Sequence, residues 1–580
     1  MFERPNPGSS LPEYKPSNYI WQMMVEQRIV DASESPQEML QRVINVLFDA
    51  ETKFGTDPQK TREMSLQFAQ YMVDGYVIPG TPTLTNAGRN VDSALSSCVV
   101  IPVDLNDKLS AEKVIKSYYK QNMGSGFDFT DYEDPVGLLK WINDLSAHET
   151  ATGKYDRYIG NMGNLHISHP KIEEFVDAKK EDGVIPHFNI SIDLSDEFMT
   201  AVKNASLFTL SDGRDISAKA LFRRIAQNAW RTGDPGILFL GRMNRDNPIS
   251  QIAAYSSTPP CGEMGLSSGE TCQFAYLNLA NFIDEGHINY KKIEEVTKLT
   301  TRVLDNAIEY SLNRYPTIIT QEITSLKRKI GIGVCGLAEM LIIHGLPYDS
   351  DEGRSLAQDV LSFINYVSKL ESVNLAQERG SCSAMSDVVS NSYYTEEFLQ
   401  RKYSFSTSTV SADQWSELSD HISRTGLLRN ILTTSLPPSG RTSIILGTTS
   451  SIEPIFSIYN ETGDIKQVIQ DLLRRYQIPP KFIEQARSEG SFRALELLPS
   501  EIRECLKTAK EISPLGHVSM VAAVAGTQGV IDEAASKTVN LPFDASVEDV
   551  ENIFMLAYNL GLKNIAIYRD QSKVGQPEKL

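Results

Sequence analysis

The hydrophobic period of this chain changes once, at Val77-Ile78-Pro79-Gly80-Thr81-Pro82-Thr83-Leu84, and no other feature constrains its fold as strongly. Upstream, from Tyr19 to about Tyr76, apolar residues recur three and four apart, in Met39, Leu40, Val43, Ile44, Leu47 and Phe48 and again in Met64, Leu66, Phe68 and Met72. That spacing puts them on one helix face, so residues 1–76 read as a helical region whose first dozen residues, rich in Pro, form an unstructured arm. At the break itself, Pro and Gly punctuate an extended segment. Downstream, short β-rich runs (Phe188 to Ile192, Gly236 to Leu240, Ile330 to Val334) alternate with helical stretches such as Ala218 to Trp230 and Ile293 to Ser311. The alternation predicts an α/β architecture, and the absence of a clear linker predicts one catalytic domain over 77–580 with the form of a barrel. No repeat and no low-complexity tract points to a solenoid or propeller.

The 580 residues exclude a small disulfide scaffold. With 56 Lys and Arg against 74 Asp and Glu, the net charge of -18 disfavours nucleic acid and anionic membranes as partners. No apolar run reaches the roughly 18 residues of a membrane span, and Met1-Phe2-Glu3-Arg4-Pro5 lacks the apolar stretch of a signal peptide. A cytoplasmic location is expected. The six cysteines, at 98, 261, 272, 335, 382 and 505, include no Cys-x-x-Cys pair. In a reducing compartment, cysteines that act together are redox or catalytic groups rather than staples. His166 and His169 are three apart, but Pro170 follows them, so a loop is expected there and no metal site.

Three segments carry chemistry. Gly331-Ile-Gly333-Val-Cys335-Gly336 has the spacing of a dinucleotide fingerprint, though Lys327-Arg328-Lys329 makes a poor buried strand before it, and a tight strand-to-helix turn explains the glycines equally well. Pro438-Ser439-Gly440-Arg441-Thr442-Ser443 offers backbone N–H groups, hydroxyls and a guanidinium suited to phosphate, and an ordinary polar turn fits it too. In Thr258-Pro259-Pro260-Cys261-Gly262-Glu263, two prolines exclude a helix, leaving a stiff loop that presents a thiol two residues before a carboxylate. Cys272 lies eleven residues on, and Cys98 far upstream in Leu95-Ser96-Ser97-Cys98. These groups could be a radical or nucleophilic thiol, a base, and a dithiol, while lone cysteines are also common core residues.

At this point the motifs resemble, in order, those of the catalytic subunits of ribonucleotide reductases, most closely the adenosylcobalamin-dependent class. The matching pieces are Pro79 to Gly88, Leu95 to Cys98, Thr232-Gly-Asp-Pro-Gly236 running to Asn244-Arg-Asp-Asn-Pro248, and Pro260 to Glu263. Cys272 ahead of Leu277-Asn-Leu279, Pro438 to Gly440, Ser450-Ser-Ile-Glu-Pro454, Ser536 to Pro542 and Tyr568-Arg-Asp570 complete the series. The resemblance implies a ten-stranded α/β barrel with the Cys261 loop as a central finger and the helical N-terminal region outside. It implies a reductase of ribonucleoside diphosphates or triphosphates to 2′-deoxyribonucleotides, with adenosylcobalamin as cofactor, a dithiol reductant and room for a homodimer. Cys261 resembles the thiyl-radical cysteine that removes the 3′ hydrogen, and Glu263 the base for the 3′-hydroxyl proton. Cys98 and Cys272 resemble the reducing dithiol, which requires Cα atoms about 4.4–6.8 Å apart when oxidised. Thr81, Ser97, Ser439, Gly440, Arg441 and Thr442 fall where the family holds substrate phosphates and ribose.

The chain also departs from the family. Pro259 replaces an Asn, exchanging an amide that donates and accepts for a ring that does neither. Only Asp131, Tyr132 and Glu133 stand where a longer loop is usual, and Lys154 to Met162 keeps a single arginine, Arg157; ordinary effector control of specificity is therefore not expected. An N-terminal regulatory cone and a C-terminal cysteine pair are not found in these 580 residues, and the tyrosine pair that imports a radical would fall near Ala566 and Ile567. Two other readings stay open: a radical enzyme of the same fold acting on a modified nucleotide, and a degenerate nucleotide-binding paralogue.

Overall fold

The Ser35 hydroxyl accepts the amide N–H of Glu38 while the Glu38 carboxylate accepts that of Ser35, and Pro36 fills the first helical position, so the helix Pro36–Asp49 starts where a capping box directs it. It buries Met39, Leu40, Val43, Ile44, Leu47 and Phe48. The next helix, Pro58–Val73, buries Phe68 and Met72 but leaves Met64 and Leu66 only half-buried. The structure is a computed structural model and describes residues 11–572 apart from 91, 387–396, 461, 462, 494 and 497. Most of the expected N-terminal arm lies outside the described residues. Leu11 to Tyr14 lie against the helix Pro36–Asp49, where Gln37 donates to the Pro12 carbonyl and its own side-chain oxygen accepts from the Tyr14 amide.

The segment after the break is shorter in β structure than its sequence predicts. Val77–Pro79 is a strand, but Thr81–Asn86 is a helix, because Pro82 sits in its first turn, where a missing N–H costs nothing. Eight strands then form one sheet in the order Thr538–Leu541, Asn564–Arg569, Gly236–Leu238, Phe188–Asp193, Asn161–His166, Gly124–Asp128, Cys98–Val100, Thr271–Cys272. The five from Gly236–Leu238 to Cys98–Val100 run parallel. A second sheet joins Val77–Pro79, Phe274–Asn278 and Gly331–Cys335, and the segment 271–278 serves both.

The α/β barrel with an outer helical region is present, but the expected ring of ten strands is not closed. Between Gly331–Cys335 and Thr538–Leu541 the ladder is carried by isolated bridges, Ile332 to Thr434 and Leu436 to Ala535. Two causes are visible. The Asp532 carboxylate takes the amide N–H groups of Thr433 and Thr434, and Pro437 and Pro438 have no N–H to give. Outside, Ala218–Thr232 and Val547–Asn559 cover the larger sheet, while Tyr290–Ser311 lies between Pro36–Asp49 and Asp351–Arg379. Buried ion pairs tie these layers together: Glu51 meets Arg379 at 2.6 Å and Arg302 at 3.3 Å. Removing one partner would leave an uncompensated buried charge, costing about 3–5 kcal/mol. Among the described residues, no helix is long and apolar enough to cross a membrane.

Candidate active site

The Cys261 loop is a hairpin inside the barrel, opened by paired hydrogen bonds between Ser257 and Leu266. At its tip the Pro259 carbonyl accepts the Gly262 N–H at 3.0 Å, closing a four-residue turn with Pro260 second and Cys261 third. Cys261 keeps a negative φ and Gly262 takes +74°, so the turn is of type I, with proline and glycine in their preferred places. A buried charge cluster fixes the base of the loop. Lys329 pairs with Glu270 at 2.9 Å and Glu533 at 3.1 Å, and Glu533 accepts from the Tyr255 hydroxyl and the Gly265 amide.

The loop lies on a strand that makes room for it. Gly124 and Gly126 project to one face of Gly124–Asp128. A Cβ at Gly124 would stand 3.0 Å from Cys98 Sγ and 3.2 Å from the Pro260 ring, and one at Gly126 would run into the Thr258 carbonyl. Glycine in a strand at such close approach leaves a local signal in Gly124-Ser125-Gly126.

Nine of the ten expected site residues line one cavity of about 360 Å³: Thr81, Ser97, Cys98, Cys261, Glu263, Ser439, Gly440, Arg441 and Thr442. The tenth, Cys272, is buried directly opposite Cys98 in an antiparallel register. Residues so placed have Cα atoms about 4.5–5.5 Å apart, within the range a disulfide needs, and here both are free thiols. The Ser439 and Thr442 hydroxyls are engaged within their own loop, with the Ser451 amide and the Ser439 carbonyl. The cavity's donors at that end include the Arg441 guanidinium and first-turn N–H groups of the helices Gly440–Leu446 and Thr81–Asn86.

Burial dominates the acid–base chemistry. Glu263 has its carbonyl held by the Ser435 hydroxyl at 2.8 Å and the Ala534 amide at 3.1 Å, while its Oε2 is buried without a partner. Burial pushes its carboxyl up to about 7, against the pull of its own amide and of Arg157. Cys261 is exposed only toward the barrel interior, and that enclosure raises its thiol well above the ordinary range, with Glu263 and Cys98 adding to the effect and Arg157 opposing it. Cys272 is raised by burial and then by its contact with Cys98. Both thiols thus keep their hydrogens at neutral pH. That makes them poor nucleophiles and metal ligands, and suits them to hydrogen-atom transfer.

Cys261 also walls a second cavity, of about 250 Å³, on the other side of the loop. Gly236, Ser191, Asn189, Ala566, Ile567 and Tyr568 are among its lining residues. A Cβ at Gly236 would stand 3.1 Å from the Ser191 hydroxyl, and the Tyr568 hydroxyl is buried without a partner. A buried hydroxyl without a partner in a cavity walled by Cys261 fits a cofactor group of nucleoside character, which offers that hydroxyl a hydrogen bond.

Other expectations resolve differently. Gly331 and Gly333 make room for the Phe274 and Pro437 rings, and Gly336 takes φ +75° at the start of the helix Leu337–His344, so the tight-turn reading accounts for that motif. The His166 ring meets the Ser168 hydroxyl and the His169 ring the Tyr132 carbonyl. Arg157, Tyr158 and Tyr276 also line the cavity, and no motif in their segments marks them as site residues.

An α/β barrel threaded by a thiol-tipped loop, with a facing dithiol and a carboxyl of raised affinity for protons, is the framework of a thiol-based oxidoreductase. The ribonucleotide reductase barrel-domain model matches residues 96–568, and the ribonucleotide reductase all-alpha-domain model matches residues 22–91. The chain belongs to the ribonucleotide reductase large-subunit family. It is 31% identical over 575 residues to the vitamin B12-dependent ribonucleoside-diphosphate reductase of Mycobacterium tuberculosis (strain CDC 1551), covering 94% of this chain and 77% of the relative. With the enzyme of the same name from Thermoplasma acidophilum it shares 32% identity over 549 residues, 88% of this chain and 66% of that one. The class Id ribonucleotide reductase alpha subunit of Actinobacillus ureae shares the fold, with a TM-score of 0.75 over 96% of this chain and 98% of that one at 19% identity.

Proposed function

We propose that this chain reduces ribonucleotides to 2′-deoxyribonucleotides through a radical on Cys261, using adenosylcobalamin. The observation that carries the reading is the position of Cys261 between two cavities, one with the dithiol and the carboxyl, the other with the unsatisfied Tyr568 hydroxyl. Relatives named vitamin B12-dependent ribonucleoside-diphosphate reductases support both the cofactor and a diphosphate substrate. When bound, the cofactor supplies a one-electron oxidising equivalent by homolysis of its cobalt–carbon bond. Gly236, Ala566 and Tyr568 would hold its nucleoside end against the loop.

Once Cys261 has given up its hydrogen atom, its sulfur takes the 3′ hydrogen from the ribose. The Glu263 carboxylate takes the 3′-hydroxyl proton, and Glu263 needs no rearrangement for this because Oε2 has no partner. The 2′-hydroxyl leaves as water with a proton from one thiol of the Cys98–Cys272 pair, and the hydrogen of the other thiol goes to C2′. The pair gives up two electrons as it closes to a disulfide, and Glu263 returns its proton to the 3′ oxygen. Cys261 then returns the 3′ hydrogen. Overall, ribonucleotide and dithiol give deoxyribonucleotide, disulfide and water. An external dithiol resets the pair; this reductant and a homodimer rest on the family resemblance, and a cytoplasmic setting on the sequence expectation.

Incubation with adenosylcobalamin, a ribonucleoside diphosphate and dithiothreitol should yield the deoxynucleotide, with cobalt(II) detectable during turnover. Cobalt–carbon cleavage with a changed sugar other than a deoxyribose would support the modified-nucleotide reading instead. Nucleotide binding with neither event would identify a degenerate paralogue.

A further inference from the structure

The residues of the first cavity follow an order across the two sheets, and that order says where each part of a nucleotide goes. At one end, Thr81 and Gly440 to Thr442 sit at helix starts beside the three-stranded sheet. The middle holds Cys98, Cys261 and Glu263. Two strands further along, past Gly124–Asp128, Arg157, Tyr158 and Gly160 precede the strand Asn161–His166. In a nucleotide the phosphate on C5′ and the base on C1′ flank the C2′–C3′ edge. With phosphate at the first end and C2′ and C3′ at the thiols, the base falls at Tyr158.

Tyr158 is unusual for a large aromatic residue, being 55% exposed. It is nevertheless fixed. One ring face lies parallel to the His187 imidazole, with centroids 4.9 Å apart and planes at 13°, and the hydroxyl donates to the Pro186 carbonyl at 3.2 Å. His187 is itself held, its Nδ1 against the Ile159 carbonyl at 2.9 Å and its amide on the Asn143 side chain at 3.2 Å. Tyr158 is also a lining residue of the cavity, and more than half of its surface is open.

Resting on the function proposed above, we propose that Tyr158 is a prearranged stacking platform for the substrate base, so that base choice is set by stacking strength rather than by hydrogen-bond readout. Every base has a π face, so such a platform accepts all four and favours the purines, whose faces are larger. His187 braces the platform from behind. Because the ring is already ordered, little side-chain entropy is lost when a base arrives.

The test compares Tyr158→Leu, which removes the aromatic face, with Tyr158→Phe, which keeps it and loses only the contact to Pro186. The readouts are KM and kcat for ADP and CDP, equilibrium binding of both nucleotides without cofactor, and a thermal melt. Tyr158→Leu should raise KM and weaken binding about tenfold, more for ADP than for CDP, with kcat at saturation within about twofold of the parent, as expected for loss of one base stack. Tyr158→Phe should stay close to the parent. A folded Tyr158→Leu chain with unchanged binding and KM would overturn the platform, and so would a loss confined to kcat. If the parent chain makes no deoxynucleotide yet Tyr158→Leu loses nucleotide binding, the platform stands and the reaction assigned above fails.

Discussion

Adding one methyl group at Gly124 would push on both reactive regions of the site at once. A Cβ there stands 3.0 Å from Cys98 Sγ and 3.2 Å from both Cδ and Cγ of Pro260, the residue before Cys261. Carbon atoms rest about 3.5–4.0 Å apart, so the strand, the dithiol and the loop tip must separate by roughly half an ångström. The room is not easily found. Prolines at 259 and 260 stiffen the loop, and the Lys329, Glu270 and Glu533 cluster fixes its base. Overpacking of this kind costs about 1–3 kcal/mol. A misplacement of about 1 Å costs around a hundredfold in rate, so half of that costs on the order of tenfold. Gly124→Ala should therefore lower kcat about tenfold and lower Tm, whereas Gly241→Ala, whose Cβ meets nothing within 4 Å, should do neither. Deoxynucleotide formation and a thermal melt check both. A Gly124→Ala chain with the parent's kcat and Tm would refute the claim that the finger is wedged against this strand.

Glu263 should make turnover fall as pH drops below about 7, where burial keeps the carboxyl protonated and unable to act as a base; a kcat profile flat from pH 6 to 8 would remove it from that role. The folded chain holds this proton up to about pH 7 while the unfolded chain releases it near 4.5, so the group lowers stability as pH rises between the two. Glu263→Gln should thus be inactive yet gain stability over the parent at pH 8 relative to pH 5, on the order of 3 kcal/mol by denaturant unfolding. Mild oxidation should join Cys98 to Cys272 without changing the far-ultraviolet circular dichroism, because their register already opposes them, and peptide mapping should recover that link. Cys261→Ser should abolish exchange of hydrogen between substrate C3′ and the cofactor. Cys335→Ser, Cys382→Ser and Cys505→Ser, all buried away from the cavity, should cost stability alone, and an equal loss of activity in all four would reject the division.

What the sequence revealed depends on the range of the physics involved. Met39 to Phe48 could be assigned to one helix face because that period and the Ser35 to Glu38 cap are local. The strand Phe188–Asp193 and the helix Ala218–Thr232 were legible for the same reason. Thr81–Asn86 was not, since proline in a first helical turn looks like proline in an extended segment until the following carbonyl contacts are known. The open stretch of the barrel depends on Asp532 capturing amides about a hundred residues away, which no local pattern encodes. The same holds for the site. Cys98 and Cys272 are 174 positions apart, so only the resemblance joined them, and the Tyr158 and His187 stack has no signature in either segment.

Pro259 remains the clearest departure within the finger, and the structure shows what it contributes. Its carbonyl closes the turn at Gly262, and because a proline restricts the residue before it, Pro259 and Pro260 together confine residues 258 to 260. The loop gains rigidity at the position where the family carries an amide for the ribose hydroxyls. Pro259→Asn reverses the exchange. The unfolded chain regains freedom that the proline had removed, so stability should fall by about 0.4–1 kcal/mol, while the new amide, one residue from the cavity wall at Pro260, gives the sugar a donor and an acceptor. Turnover should rise or KM fall, with Tm slightly lower. If KM and kcat are both unchanged while Tm falls as expected, residue 259 acts only on the stiffness of the loop, and the ribose is held without it.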